Sequence, residues 1–157
     1  MSKFNHEFFG VIDTQKDLDN GLGDIFGDGI SVLWEEEYKG IIVTLWYDKN
    51  YEITNEILDI FSNFLKNYDL HDKNLRLVLK EYLKKDNEYI VFHKDAGLKV
   101  PNDISEFVEK MQVNSIALWI GEDFINVDFM INPDESDEIL CVKLNNNLEV
   151  KSIDWES

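Results

Sequence analysis

The 157-residue chain has one cysteine, two prolines and three histidines, and its 15 lysines and arginines face 32 aspartates and glutamates. Each scarcity excludes something. A lone Cys141 cannot form an internal disulfide, so no oxidising compartment is called for. Pro101 and Pro133 give little punctuation, and no repeat or low-complexity linker divides the sequence, so one domain over residues 1–157 is expected. That length buries about 70% of the unfolded surface without staples. No window is apolar enough to span a bilayer, and the opening Met1 to Glu7 has no signal-peptide core; the expected location is cytoplasmic. The formal net charge of −17 sets the surface against phosphate backbones and anionic lipid, which excludes nucleic acid and membrane as direct ligands.

What the chain does have is apolar periodicity. Phe8 to Ile12 reads as a short strand, followed by a loop from Asp17 to Gly29 with four glycines and four aspartates. Ile30 to Tyr38 and Ile41 to Tyr47 alternate on both sides of Lys39-Gly40, a two-residue hairpin turn. In that register Tyr38 faces Ile41, Trp34 faces Leu45, and Glu36 is the polar intruder on the apolar side. On the other side Glu37 lies across from Ile42, Glu35 from Thr44 and Leu33 from Trp46. Thr54 caps a helix carrying Ile57, Ile60, Phe61, Phe64 and Leu65, and His71 or Asp72 opens a second that runs to Lys85. Tyr89 to Phe92 reads as a short strand, and Pro101 and Asp103 start a third helix ending at Met111.

The last third reads as four antiparallel strands. Ile116, Leu118 and Ile120 alternate against Ile125, Val127, Phe129 and Ile131, with Glu122-Asp123 between them. After the loop Asn132 to Glu138, Leu140, Val142 and Leu144 meet Leu148 and Val150 across three asparagines, residues that tolerate positive φ. The expected class is α+β: an antiparallel sheet, made of the N-terminal hairpin and a C-terminal four-strand meander, with two to three helices on one face.

Catalytic and ligand motifs fail when tested. Asp17, Asp19 and Asp28 fit positions 1, 3 and 12 of an EF-hand loop, but the sixth position, which needs glycine, is Leu22. Gly21-Leu-Gly23 and Gly27-Asp-Gly29 lack the third glycine and the helix of a dinucleotide loop. His6, His71 and His93 never pair at helical spacing, and no histidine neighbours Cys141 in sequence. The expectation is therefore no metal, no cofactor and no enzymatic activity.

Surface character remains. Trp46 and Trp119 fall on the strand sides opposite the main apolar rows. Either the helices cover that side and both tryptophans join the core, or it is an aromatic surface ringed by acids, suited to a basic protein. Residues 13–37 hold eight acids and one lysine, and residues 121–140 hold seven acids and no base; residues 66–85 carry six bases against three acids. The candidate partner-binding residues are Trp46 and Trp119 as anchors, with Glu35, Glu37, Asp134, Glu135, Asp137 and Glu138 as steering and rim groups.

Phe8-Phe9-Gly10, the Trp46 strand, the paired helices and the stretch from Ala117-Leu118-Trp119-Ile120-Gly121 to Trp155 resemble a family of small acidic bacterial proteins of unknown function. That family is grouped with the immunity proteins of polymorphic toxin systems. The resemblance covers most of the chain, rests on strand-like apolar patterns and supplies no catalytic residue. It implies a cytoplasmic protein that binds and neutralises a cognate toxin; the acidic surface fits a basic toxin partner, and the expected state is a monomer or weak homodimer. The alternative is a small ligand-binding domain or enzyme whose site is assembled from scattered residues such as His71, His93 and loop carboxylates.

Overall fold

In a computed structural model, which describes residues 3–15 and 29–157, a six-stranded sheet carries helices on one face. Strands β1 (Lys3–His6) and β2 (Gly10–Asp13) form a separate antiparallel pair. The large sheet has the order β3-β4-β5-β6-β7-β8, from β3 (Ile30–Tyr38) and β4 (Ile41–Asp48) through β5 (Gln112–Ile120), β6 (Ile125–Met130) and β7 (Ile139–Leu144) to β8 (Val150–Glu156). Every neighbouring pair is antiparallel except β4 and β5, the second and third strands, which run parallel. A parallel pair needs a crossover. Here it contains the four helices of the described residues: α1 (Asn55–Lys66), α2 (Tyr68–Lys85), α3 (Glu88–Asp95) and α4 (Ile104–Lys110).

The helices form where apolar spacing and caps coincide. The Thr54 hydroxyl accepts the Ile57 N–H at 3.1 Å, and the Asp103 carboxylate accepts that of Glu106 at 3.3 Å. Leu58, Phe61, Phe64 and Leu65 of α1, Leu75, Leu79 and Leu83 of α2, and Phe107 and Val108 of α4 are buried in one cluster with Val43, Leu45, Leu118, Val127 and Val142. All four helices therefore pack on the sheet face that carries the apolar rows.

Several expectations need correction. Residues 89–92 are helical: Tyr89, Ile90 and His93 are buried at i, i+1 and i+4, and a four-residue apolar run cannot by itself distinguish strand from helix. Helix α3 brings the count among the described residues to four, and α2 starts at Tyr68, with Asn67 alone between it and the end of α1. Phe8 and Phe9 sit in the turn between β1 and β2, which closes through Gly10 at φ +73°, a left-handed conformation natural to glycine. Leu33 is a bulge residue turned into the core, so Trp46 pairs with Val32 instead. In the β7–β8 turn positive φ falls on Leu148 (+62°), not on an asparagine, and the Asn145 side chain braces the turn by accepting the N–H groups of Asn147 and Glu149.

The Lys39-Gly40 turn has positive φ at both positions, and the expected pairs Tyr38–Ile41, Glu36–Val43, Trp34–Leu45, Glu35–Thr44 and Glu37–Ile42 all form. Glu36 is exposed, as an edge strand permits. The Gly/Asp loop in which the calcium count was tested lies, up to Asp28, outside the described residues.

Candidate protein-binding face

Alternation along the strands puts a second set of side chains on the sheet face away from the helices. One row across the six strands reads Glu37, Ile42, Ser115, Asp128, Cys141, Asp154; the next reads Glu35, Thr44, Ala117, Asn126, Lys143, Ser152. A third places Trp46 beside Trp119, and the parallel register stacks their rings 5.0 Å apart at an interplanar angle of 10°. Both tryptophans are half-buried. Of the two arrangements left open by the sequence, this one puts them opposite the helices and outside the main core cluster.

Small residues floor the space between the tryptophans and the C-terminal strands. Thr44, Ser115 and Ala117 leave a shallow groove of about 360 Å³, closed on its far side by Asp128, Cys141 and Glu156. The Thr44 hydroxyl donates to Glu35 at 2.9 Å and the Ser115 hydroxyl to Asp128 at 2.9 Å, which holds each carboxylate in place. Lys143 lies 3.0 Å from Asp154 and 3.6 Å from Glu156, and the hydrogen bond to Asp154 is the main reason its ammonium pKa is raised. One lysine against Glu35, Glu37, Asp128, Asp154 and Glu156 leaves the face strongly negative.

Asp128, Cys141 and Glu156 bring their ligand-type atoms within 4.8 Å of one another. Their surroundings disfavour a cation. Burial, reinforced by Asp128, pushes the Cys141 thiol well above its ordinary range, so it stays protonated at neutral pH, and the Lys143 ammonium stands 3.6 Å from Glu156 beside it. Cys141 is a buried, inert thiol.

The acidic loop belongs elsewhere. Asp134, Glu135, Asp137 and Glu138 follow β6 at the end of the sheet away from the tryptophans, and the loop is tied to the helical layer. The Tyr89 hydroxyl donates to the Glu138 carbonyl at 2.7 Å, and His93 and Ser136 are joined at 2.7 Å. The structure thus groups Glu35, Glu37, Trp46 and Trp119, and sets Asp134 to Glu138 apart from them. The residues the sequence reading missed on this face are Asp128, Asp154 and Glu156. Their alternation with Val127, Ile153 and Trp155 was the available signal.

The three histidines do not converge. His6 Nε2 donates to Asp59 at 2.8 Å while its Nδ1 accepts the Phe8 N–H, and His71 stacks on Phe64. His93 is fully buried: Nδ1 donates to the Tyr89 carbonyl at 2.7 Å, so Nε2 accepts the Ser136 hydroxyl. With both ring nitrogens engaged, the pair latches the loop onto α3. Among the described residues no helix is long and apolar enough to cross a membrane. Comparison with protein-family models, curated proteins and solved structures finds no match for this chain.

Proposed function

We propose that this chain is a protein-binding domain for a basic partner, acting as an inhibitor in the manner of the toxin-immunity proteins it resembles. The observation that carries the reading is the Trp46–Trp119 stack on a sheet face bordered by Glu35, Glu37, Asp128, Asp154 and Glu156. Large aromatics give contact area at low entropic cost, and surrounding carboxylates steer a cationic surface toward them. A net charge of −17 extends that steering over the whole molecule and raises encounter rates by about 10–10³-fold at low salt. The stacked rings supply the desolvated centre, and the hydrogen-bonded carboxylates Glu35 and Asp128 supply rim contacts whose geometry is set before binding.

The test is retention of proteins from the source cell on immobilised wild-type chain and on a Glu35→Lys/Glu37→Lys variant, at low salt and at about 0.5 M salt, where the Debye length is near 4 Å. One basic protein held by the wild type, weakened by salt and lost on the variant is the expected result. Retention unchanged by both salt and charge reversal would remove this face from the interface. No partner under any condition would count against the protein-binding reading.

A further inference from the structure

At the same end of the sheet as the tryptophans, but on its helical side, lies a cleft of about 780 Å³. Its walls come from three places: Tyr51 and the first turns of α1, the β5–β6 turn, and the asparagine turn between β7 and β8. We infer that this cleft is a receptor for an arginine side chain displayed by the basic partner; the inference rests on the protein-binding reading above and adds a second contact to it.

Charge selects a cation. Glu56 and Glu122 line the cleft and make no ion pair among the described residues, whereas Lys151, its one lining base, lies 3.8 Å from Asp123. The positive end of α1 does not reverse this, because the Thr54 hydroxyl occupies the Ile57 N–H and Glu56 sits in the first turn. Shape and polarity select arginine among cations. Ile57, Ile60 and Phe124 give an apolar wall for a methylene stem, and the exposed Tyr51 ring offers a face on which a planar guanidinium stacks. Two carboxylates suit its forked donors better than they suit a compact ammonium.

Position ties the cleft to the proposed interface. Gly121 lines it two residues beyond Trp119, and Tyr51 follows Trp46 by five. A Cβ at Gly121 would come within 3.3 Å of Asp48 and 3.9 Å of the Tyr51 ring, so the β5–β6 turn packs closely against the segment that follows Trp46. The space exceeds one side chain and admits the flanking backbone of a partner loop folded over that turn.

The experiment is an amide NMR titration of the full chain with acetyl-Gly-Arg-Gly-amide, with lysine and citrulline peptides as comparisons. The expected result is saturable shifts at Gly121, Glu122, Phe124 and Asn146 for the arginine peptide, several-fold weaker binding of lysine, and none for uncharged citrulline. Glu56→Gln/Glu122→Gln should weaken arginine binding about tenfold, and Tyr51→Leu severalfold, with amide spectra otherwise preserved. Equal binding of citrulline, shifts confined to other surfaces, or no saturable shift would overturn the inference. The two readings fail separately. If the peptide misses the cleft while Glu35→Lys/Glu37→Lys still abolishes partner retention, only the arginine receptor is lost. If the peptide binds the cleft and no protein partner is ever retained, the cleft binds guanidinium but the partner reading fails.

Discussion

Arg76 offers the sharpest test of how the helical layer is held together. Its Nε donates to Asp72 at 2.8 Å, and one terminal nitrogen donates to the carbonyls of Val108 and Met111 at 2.6 and 2.8 Å. The guanidinium lies over the Phe129 ring at 5.4 Å. It therefore caps the C-terminus of α4, where orphan carbonyls would otherwise point into a partly buried seam. Arg76→Met keeps most of the apolar stem but removes the charged donor from Asp72, which retains only the Tyr68 hydroxyl, and from the Met111 and Val108 carbonyls, of which Val108 retains the Met111 N–H. The side chains of Arg76 and Asp72 are 15% and 24% exposed, so some water reaches the site and the loss falls at the low end of the range for a broken buried pair, about 3 kcal/mol. For a chain of this size that corresponds to a fall in Tm of about 6–12 °C. Asp72→Asn should cost less, about 1 kcal/mol, because the amide oxygen still accepts from Arg76 or the Tyr68 hydroxyl. The assay is urea unfolding of wild type, both single variants and the double variant, read as a thermodynamic cycle. A loss below about 1 kcal/mol for Arg76→Met, or no coupling between the two sites, would show that water replaces the guanidinium at no net cost and that Arg76 is no cap.

Alkaline pH should destabilise the chain in two stages. The Cys141 thiol is held protonated by burial and by Asp128, so above about pH 8.5 the unfolded chain releases a proton that the folded chain keeps, and stability falls as pH rises. Tyr68 and Tyr89, both raised mainly by burial, add the same sign from about pH 10. Urea midpoints between pH 7 and 10 should show Cys141→Ala delaying the onset; identical profiles for the two proteins would refute the assignment. Ser136→Ala removes the hydroxyl bonded to His93 Nε2, its one partner among the described residues, in a fully buried ring and should cost about 1–3 kcal/mol, with faster amide exchange across residues 132–138. Exchange unchanged there would mean the latch is not what holds the loop. Lys39→Asn places a residue suited to left-handed backbone at φ +53° and should raise stability by about 0.5–1 kcal/mol, measured by the same unfolding. Lys39 also lies 5.6 Å from the centre of the Tyr38 ring and 4.0 Å from Asp69, and a loss instead would mean that these contacts matter more than the turn.

Most of the sheet was legible because its strands carry their register in alternation and their turns in composition. Lys39-Gly40 fixes which residue faces which, and that alone put Glu35 opposite Thr44 and on the same face as Trp46. The bulge at Leu33 was not legible, since Leu33 suits the core and an ideal hairpin hides the extra residue. Nor was the sheet order: nothing local in Ile41 to Asp48 says that its second neighbour is a strand beginning at Gln112, or that the pair runs parallel. The stacking of Trp46 on Trp119 follows only from that long-range register. Helix α3 was misread because Tyr89 to Phe92 is too short for its period to show, and its burial is decided by Trp155 and the 132–138 loop, which come later in the chain. The cleft was invisible for the same reason, being assembled from three turns far apart in sequence.

The parallel join between β4 and β5 has a consequence for regulation. Trp46 belongs to the half of the chain before the helices and Trp119 to the half after them, and the only strand pairing that unites those halves in the large sheet closes a loop of about 70 residues. On the proposed reading, the binding face is thus a property of the closed molecule: neither half of the chain can present it alone. Anything that parts β4 from β5, whether a protease cut within the crossover followed by strain or a competing strand, would switch off recognition all at once and unstack the two indoles in the same event. The tryptophan pair is accordingly a built-in optical reporter of whether the chain is competent to bind.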